Sequence, residues 1–183
     1  MESKRVRIKY SKKYPASLIG HLDTVREVLR GMRRAAWQFE FTAGFNPAVK
    51  YSSTPALSLG FLSEAEYIDL WLKENLKDFK KDIFKTSLAD GLEVNRINAL
   101  SPDAETINEE VRGFRYEVAS KDGSQVQFVK KKKAVKLVKR GEDYIIVDTF
   151  KRGGGIGNPR KNIGEGNYRI KKLSCIRGDG THF

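Results

Sequence analysis

Near the start of the chain, the spacing of apolar residues changes from every second position to every third or fourth. In "RVRIKY", residues 5–10, apolar side chains alternate with cations, which is typical of a half-buried strand. The alternation gives one face Val6, Ile8 and Tyr10 and the other face Arg5, Arg7 and Lys9. From about residue 17 to 36, apolar side chains recur every three or four positions, as in an amphipathic helix. That apolar stripe comprises Leu18, Leu22, Val25, Leu29, Met32 and Ala36.

The next segments continue this alternation of periods. "FEF" at 39–41, "EAEYIDLWL" around 67–72 and "LEVNRI" predict strands, and residues 76–88 have helical spacing. The order strand, helix, strand, strand, helix, strand predicts an α+β fold, specifically a ferredoxin-like β-α-β-β-α-β sandwich over residues 1–100. One face of its sheet is expected to be free.

The second half of the chain is predicted to be a smaller strand-rich domain. Residues 101–111 are acidic and contain a proline, so we predict a linker there. Residues 112–183 contain five strand-like runs and a Gly-rich loop, and a degenerate ferredoxin-like copy is one interpretation of them. Those runs are "GFRYEVAS", "QVQFV", "AVKLV", "YIIVDTF" and "YRIKKLSCI".

Charge narrows the class of partner. The chain has 35 Lys and Arg against 23 Asp and Glu, a net charge of +12, which favours encounter with polyanions such as nucleic acids. The single cysteine, Cys175, excludes an internal disulfide and a Cys-based metal site. Apolar runs fall short of a membrane span. We therefore expect a cytoplasmic protein without a membrane partner, a metal or a cofactor.

The first predicted helix has a second face, made of cations. Arg26, Arg30 and Arg33 are spaced three or four residues apart, so they share a face that Asp23 begins and Arg34 borders. Guanidinium groups suit phosphate contacts because each offers a planar set of donors. The alternative is an ordinary solvated face.

"AGFNPAVKYSS", residues 43–53, combines parts that suit a contact with single-stranded RNA. Gly44 permits a positive φ, and Pro47 restricts the backbone. Cations, rings, an amide and a hydroxyl follow in the same stretch. The candidate contacts are Phe45, Asn46, Lys50, Tyr51 and Ser52. A plain loop between strands would use the same residues.

Two later segments are also basic. The run "KKKKAVKLVKR", 130–140, favours RNA contact through Lys131 and Lys132, although lysines also protect an edge strand. The Gly-rich loop at 152–166 adds Arg152, Arg160 and Lys161, and such loops can bind phosphates. This loop matches neither a P-loop nor a dinucleotide fingerprint.

Residues suited to catalysis are few. His21 begins the first helix and is the candidate general acid or base, but a structural histidine is the commoner role there. Whether the protein is an enzyme stays open.

Two stretches resemble a known bacterial family. "GHLDTVREVLRGMRRA" and "AGFNPAVKYSSTPALSLGFLSEAEY" are similar to the radical-SAM-linked family, a domain of unknown function fused to or encoded beside a radical-SAM protein. The residues at its motif positions are His21, Asp23, Arg26, Arg33, Arg34, Gly44, Phe45, Asn46, Pro47, Lys50, Gly60, Ser63, Glu64 and Glu66. Gly20 and Ala48 depart from the family, which usually has a capping Ser and often a His there.

The residues and the resemblance lead to one expected function and two alternatives. We expect an RNA-binding accessory module that acts with a radical-SAM partner in ribosomal or transfer RNA metabolism. One alternative is a metal-independent RNA endonuclease using His21, by architectural analogy with CRISPR RNA endonucleases of the Cas six type. The other is a protein–protein adaptor with a basic docking face.

Overall fold

The protein is an α+β fold that is rich in strands and has few helices. The computed structural model describes residues 4–73, 88–129, 135–152 and 155–183. The chain divides into two compact units, Met1–Thr54 with Glu66–Glu109 and Pro55–Ala65 with Glu110–Phe183. We call them the first and second unit and describe each by itself.

The first unit contains four strands and the longest described helix. Its elements are β1 (Lys4–Lys12), α1 (His21–Arg34), β2 (Tyr51–Ser53), residues 66–72 of β3 (Leu62–Leu72), and β4 (Leu92–Leu100). The strands are ordered β4-β1-β3, and β2 pairs with β3. The pairs β1–β4 and β2–β3 are antiparallel. The predicted second helix, 76–88, lies almost wholly outside the described residues.

Helix α1 packs its apolar face into the core of the first unit. Val25, Val28, Leu29 and Met32 are buried in one cluster with Ile8 and other residues of the strands. Three residues of the predicted stripe do not pack into the core: Leu18 and Leu22 are 60% and 61% exposed, and Ala36, which lies beyond the end of the helix, is exposed too. The helix begins only at His21, so Leu18 precedes it in a 3-10 turn, and the face that meets the sheet is centred on Val25 and Val28.

One face of the sheet was predicted to be free, but the two arginines that β1 places on that face are buried. Arg5 and Arg7 are only 5% and 8% exposed. Asp69 of β3, itself fully buried, accepts bonds from Arg7 Nε at 2.7 Å and Arg5 Nη2 at 3.3 Å. The amide of Ile107 donates to the same carboxylate at 2.8 Å. Alternation alone assigned these cations to solvent, and a buried partner distant in sequence reverses that prediction.

The stretch 101–111, predicted to be a linker, is folded against this ion cluster. It contains α2 (Ile107–Glu110), and Ile107 is fully buried. Arg5 Nη1 donates to the carbonyl of Ala104 at 2.5 Å, and Arg5 Nη2 to that of Glu105 at 2.7 Å. The domain boundaries at residues 100 and 112 stay a prediction.

The second unit is built mainly of strands. These are β5 (Gly113–Ser120), β6 (Val135–Arg140), β7 (Tyr144–Arg152), β8 (Gly155–Ile156) and β9 (Tyr168–Ile176). The order is β9-β5-β7-β6, with antiparallel pairs β5–β9, β5–β7, β6–β7 and β7–β8. The start of β3 pairs with β9 in parallel, so the β-structure is mixed.

Four of the five strand-like runs in the second half form strands, and "QVQFV" does not. There, only Phe128 forms an isolated bridge, with Ile163. Its neighbouring segment is the 3-10 turn Pro159–Asn162, which offers single hydrogen bonds rather than a ladder.

Replacing Asp69 tests the ion cluster of the first unit. We expect Asp69→Asn to lower the free energy of unfolding by about 3–5 kcal/mol, because two buried guanidinium groups lose their counter-charge. Urea unfolding followed by circular dichroism measures the change. Glu93→Gln is the control, since it breaks the exposed Lys13–Glu93 pair and is expected to cost at most about 1 kcal/mol. Equal losses in the two variants would contradict the proposed importance of the cluster.

Candidate nucleic-acid interface

The arginines of α1 lie on one exposed helix face. The side chains of Arg26 and Arg30 are 64% and 63% exposed, and Arg33 is exposed too. Arg26 Nη1 lies 2.9 Å from Asp23 Oδ1, and Arg30 Nη1 lies 3.9 Å from Glu27 Oε2. The first pair is exposed and the second is long, so both are weak and these guanidinium groups can still bind another anion.

A closed loop faces this helix. The amide of Thr42 donates to the carbonyl of Ala48 at 2.8 Å, and the Ala48 amide donates to Thr42 Oγ1 at 3.1 Å. Phe41 and Val49 form a bridge just outside these bonds. Gly44 has a φ of +126°, a conformation that residues with a side chain rarely adopt. The loop is therefore tied at its base and carries an exposed tip.

The helix face and the loop enclose one groove of about 410 Å³ in the first unit. Arg26, Arg30 and Arg33 form one wall, and Tyr51 and Phe41 contribute rings. The other residues that line the groove are Leu22, Val25, Leu29, Pro47, Ala48 and Val49. Among the described residues that line it, none is acidic. The groove thus combines cations, aromatic rings and an apolar floor.

Five of the predicted site residues in the first unit do not line this groove. Lys50 lies 4.9 Å from the Trp71 ring centroid and 3.8 Å from Glu40. Arg34 donates to Glu27 Oε1 at 2.6 Å. Ser52 lies opposite Asp69 in the β2–β3 ladder. The remaining two, Phe45 and Asn46, are exposed at the loop tip.

His21 occupies the first position of α1, next to Leu22, and is not itself among the residues that line the groove. Its Nε2 lies 3.3 Å from the Oγ of Ser53 at the end of β2. Gly20 precedes the helix without a side-chain cap. The contact positions the imidazole against β2, and His21 remains a candidate acid or base.

The predicted site residues of the second half lie in the second unit or outside the described residues. Arg160 is exposed and lies 5.1 Å from the Tyr168 ring centroid, and Lys161 is also exposed. Arg152 ends β7. Lys131 and Lys132 lie outside the described residues. The groove therefore gathers four of the predicted contacts: Arg26, Arg30, Arg33 and Tyr51.

Sequence reasoning missed Phe41, Leu22 and Pro47 as residues of the groove. Phe41 was assigned to a strand because "FEF" alternates, and Leu22 was assigned to the core by its helical spacing. Partial exposure of both shows that they border solvent. Pro47 was noted only for its backbone, although a proline ring also supplies apolar surface.

Within the described ranges, no helix is long and apolar enough to span a membrane. Over the same part of the chain, no group of three or more His, Cys, Asp or Glu residues could hold a metal ion.

Fold and groove together define a strand-rich α+β protein with a basic, aromatic-lined surface groove. The chain belongs to a bacterial family described as "Uncharacterized protein conserved in bacteria (DUF2344)", whose profile matches residues 5–179. A comparison with curated proteins found no match.

The ring of Phe45 provides a test of the loop that is independent of binding. Its side chain is fully exposed, so we expect Phe45→Ala to change the free energy of unfolding by no more than about 0.5 kcal/mol. The control Phe39→Ala removes a ring that is 4% exposed and is expected to cost about 3–5 kcal/mol. Thermal and urea unfolding measure both variants. A loss above about 1 kcal/mol for Phe45→Ala would show that its ring serves the fold.

Proposed function

We propose that this protein is an RNA-binding accessory module that acts with a radical-SAM partner in ribosomal or transfer RNA metabolism. The groove between α1 and the loop 42–48 is its proposed RNA contact. Arginines at the groove wall bind phosphates, and the rings of Phe41 and Tyr51 contact bases.

The observation that carries the proposal is the meeting of two segments in one groove. Arg26, Arg30 and Arg33 come from a helix, and Tyr51 comes from a strand that begins 18 residues after Arg33. A solvated helix face requires no such partner, whereas an RNA site needs cations and rings side by side. The net charge of +12 further supports a polyanionic ligand.

Substitution of a groove arginine tests the phosphate contacts. We expect Arg30→Gln to weaken binding of every RNA sequence and to lower the slope of log K against log salt by about 0.7–1, because one counterion fewer is released. Arg96→Gln is the matched control, since Arg96 is an exposed arginine of β4 that does not line the groove. Fluorescence anisotropy at several salt concentrations, with a labelled single-stranded RNA, measures both variants.

An equal effect of the two substitutions would reduce the proposal to general electrostatic attraction. RNA that fails to bind even at low salt would overturn it, and tight binding of an acidic peptide instead would favour the adaptor.

The same mixtures, held in EDTA and run on a denaturing gel, test the endonuclease alternative. Intact RNA is expected. Cleavage that His21→Ala abolishes would replace the accessory module with a metal-independent nuclease.

The radical-SAM partner is supported by the resemblance of residues 20–35 and 43–67 to the radical-SAM-linked family. Affinity capture from the source cells, with and without ribonuclease, followed by mass spectrometry, tests this part. A radical-SAM protein should be captured under both conditions, and its absence from both would contradict the partnership.

A ferredoxin-like sandwich in the first unit is also part of the proposal. It is supported by the position of β3 between β1 and β2, with α1 connecting β1 to β2, as a split β-α-β arrangement requires. The second helix of the sandwich is predicted from the sequence at residues 76–88, which lie almost wholly outside the described residues. Backbone chemical shifts of that segment are expected to be helical, and extended values would contradict the sandwich.

A further inference from the structure

We infer that the groove binds an unpaired nucleotide, so that the RNA it selects is single-stranded and not duplex. This inference rests on the proposed RNA-binding function and adds the form of RNA that the site recognises. The inference is drawn from the apolar surface and the aromatic rings of the groove, because a ligand that used only its phosphates would not contact them.

The wall of the groove suits a short run of phosphates. Arg26, Arg30 and Arg33 follow one another along the helix axis over about 10 Å, at 1.5 Å per residue. A nucleic-acid strand advances about 3.4 Å per nucleotide along a helix axis, so the wall faces only a few successive phosphates. The contact is therefore local, of the size of one or a few nucleotides.

The floor of the groove suits a base. Its exposed apolar surface belongs to Leu22, Phe41 and Tyr51, which are 61%, 49% and 39% exposed, whereas Val25, which also lines it, is buried. These apolar surfaces gain only from a ligand that covers them with a flat, weakly hydrated group. In a duplex the faces of the bases are stacked on one another, so a protein surface meets phosphates, sugars and base edges but no base face. An unpaired base is free to enter.

The volume of the groove agrees with this ligand. At about 410 Å³ it lies in the size range of sites for small organic molecules and cofactors, about 300–1,000 Å³. The exposed pair of Arg26 with Asp23 and the long 3.9 Å contact of Arg30 with Glu27 are both weak, so both cations can turn to a phosphate. One nucleotide can thus place its phosphate against the arginines and its base against the apolar surface and the rings.

Three RNA probes of equal length test the inference on the unaltered protein. They are a single strand, the same strand with abasic sites in place of its bases, and a duplex of the same sequence. Anisotropy at one fixed salt concentration is expected to show that the intact single strand binds at least about fivefold more tightly than either of the others. That is the fold-change given by a stacking contribution of about 1 kcal/mol.

Variants of the rings show where the preference arises. Phe41→Ala and Tyr51→Ala are expected to bring the intact strand down to the affinity of the abasic strand while leaving the abasic affinity unchanged. Leu59→Ala, an exposed apolar residue of the second unit, should keep the parent's preference. Tyr51→Leu serves as a further variant if Tyr51→Ala does not fold.

The outcomes separate this inference from the proposed function. Equal binding of all three probes would overturn the inference and leave RNA binding intact, since phosphates alone would then account for affinity. A preference for the duplex would overturn it as well. Failure of every probe to bind would overturn the proposed function itself. A preference for the intact strand that survives both ring variants would show that the groove is not its source.

Discussion

The buried carboxylate of Asp69 connects three segments of the first unit. It joins Arg5 and Arg7 of β1 to β3 and receives the amide of Ile107. A buried cation without its partner is costly, so each arginine stabilises the fold only in this arrangement. The carbonyls that accept from Nη1 and Nη2 of Arg5 belong to the segment just before α2, and the cluster therefore fixes that segment too.

The position of Tyr51 in the groove depends on how β2 is registered against β3, the strand that carries Asp69. Ser52 lies opposite Asp69, and Tyr51 lies opposite Leu70. A shift of β2 by one residue would turn Tyr51 to the other face of the sheet and remove its ring from the groove. The position of Asp69 is set by four buried hydrogen bonds, two to Arg7, one to Arg5 and one to Ile107. The ion cluster therefore ties β3 to β1 and to Ile107, and β2 with its tyrosine pairs with this strand.

Local periodicity was enough to predict α1 and most strands, because their apolar spacing is contained in short windows. It also predicted that Arg26, Arg30 and Arg33 share a helix face, and they line one groove. It was wrong about Arg5 and Arg7, since their partner lies 64 and 62 residues away in the sequence. It missed Phe41 because alternation cannot distinguish a strand in a sheet from a single bridge at the edge of a loop.

Arginine has opposite roles in the two places where the first unit concentrates it. Around Asp69, the guanidinium groups are removed from water and bound to a carboxylate and to backbone carbonyls, so they are occupied by the fold. On α1, the guanidinium groups of Arg26 and Arg30 stay largely in water and pair with carboxylates of their own helix, at a small energetic gain. The net charge of +12 counts both kinds equally, yet only the second kind can bind a ligand without unfolding the protein. The burial of each arginine and the partner it contacts therefore decide which arginines of this basic chain are accessible to a ligand.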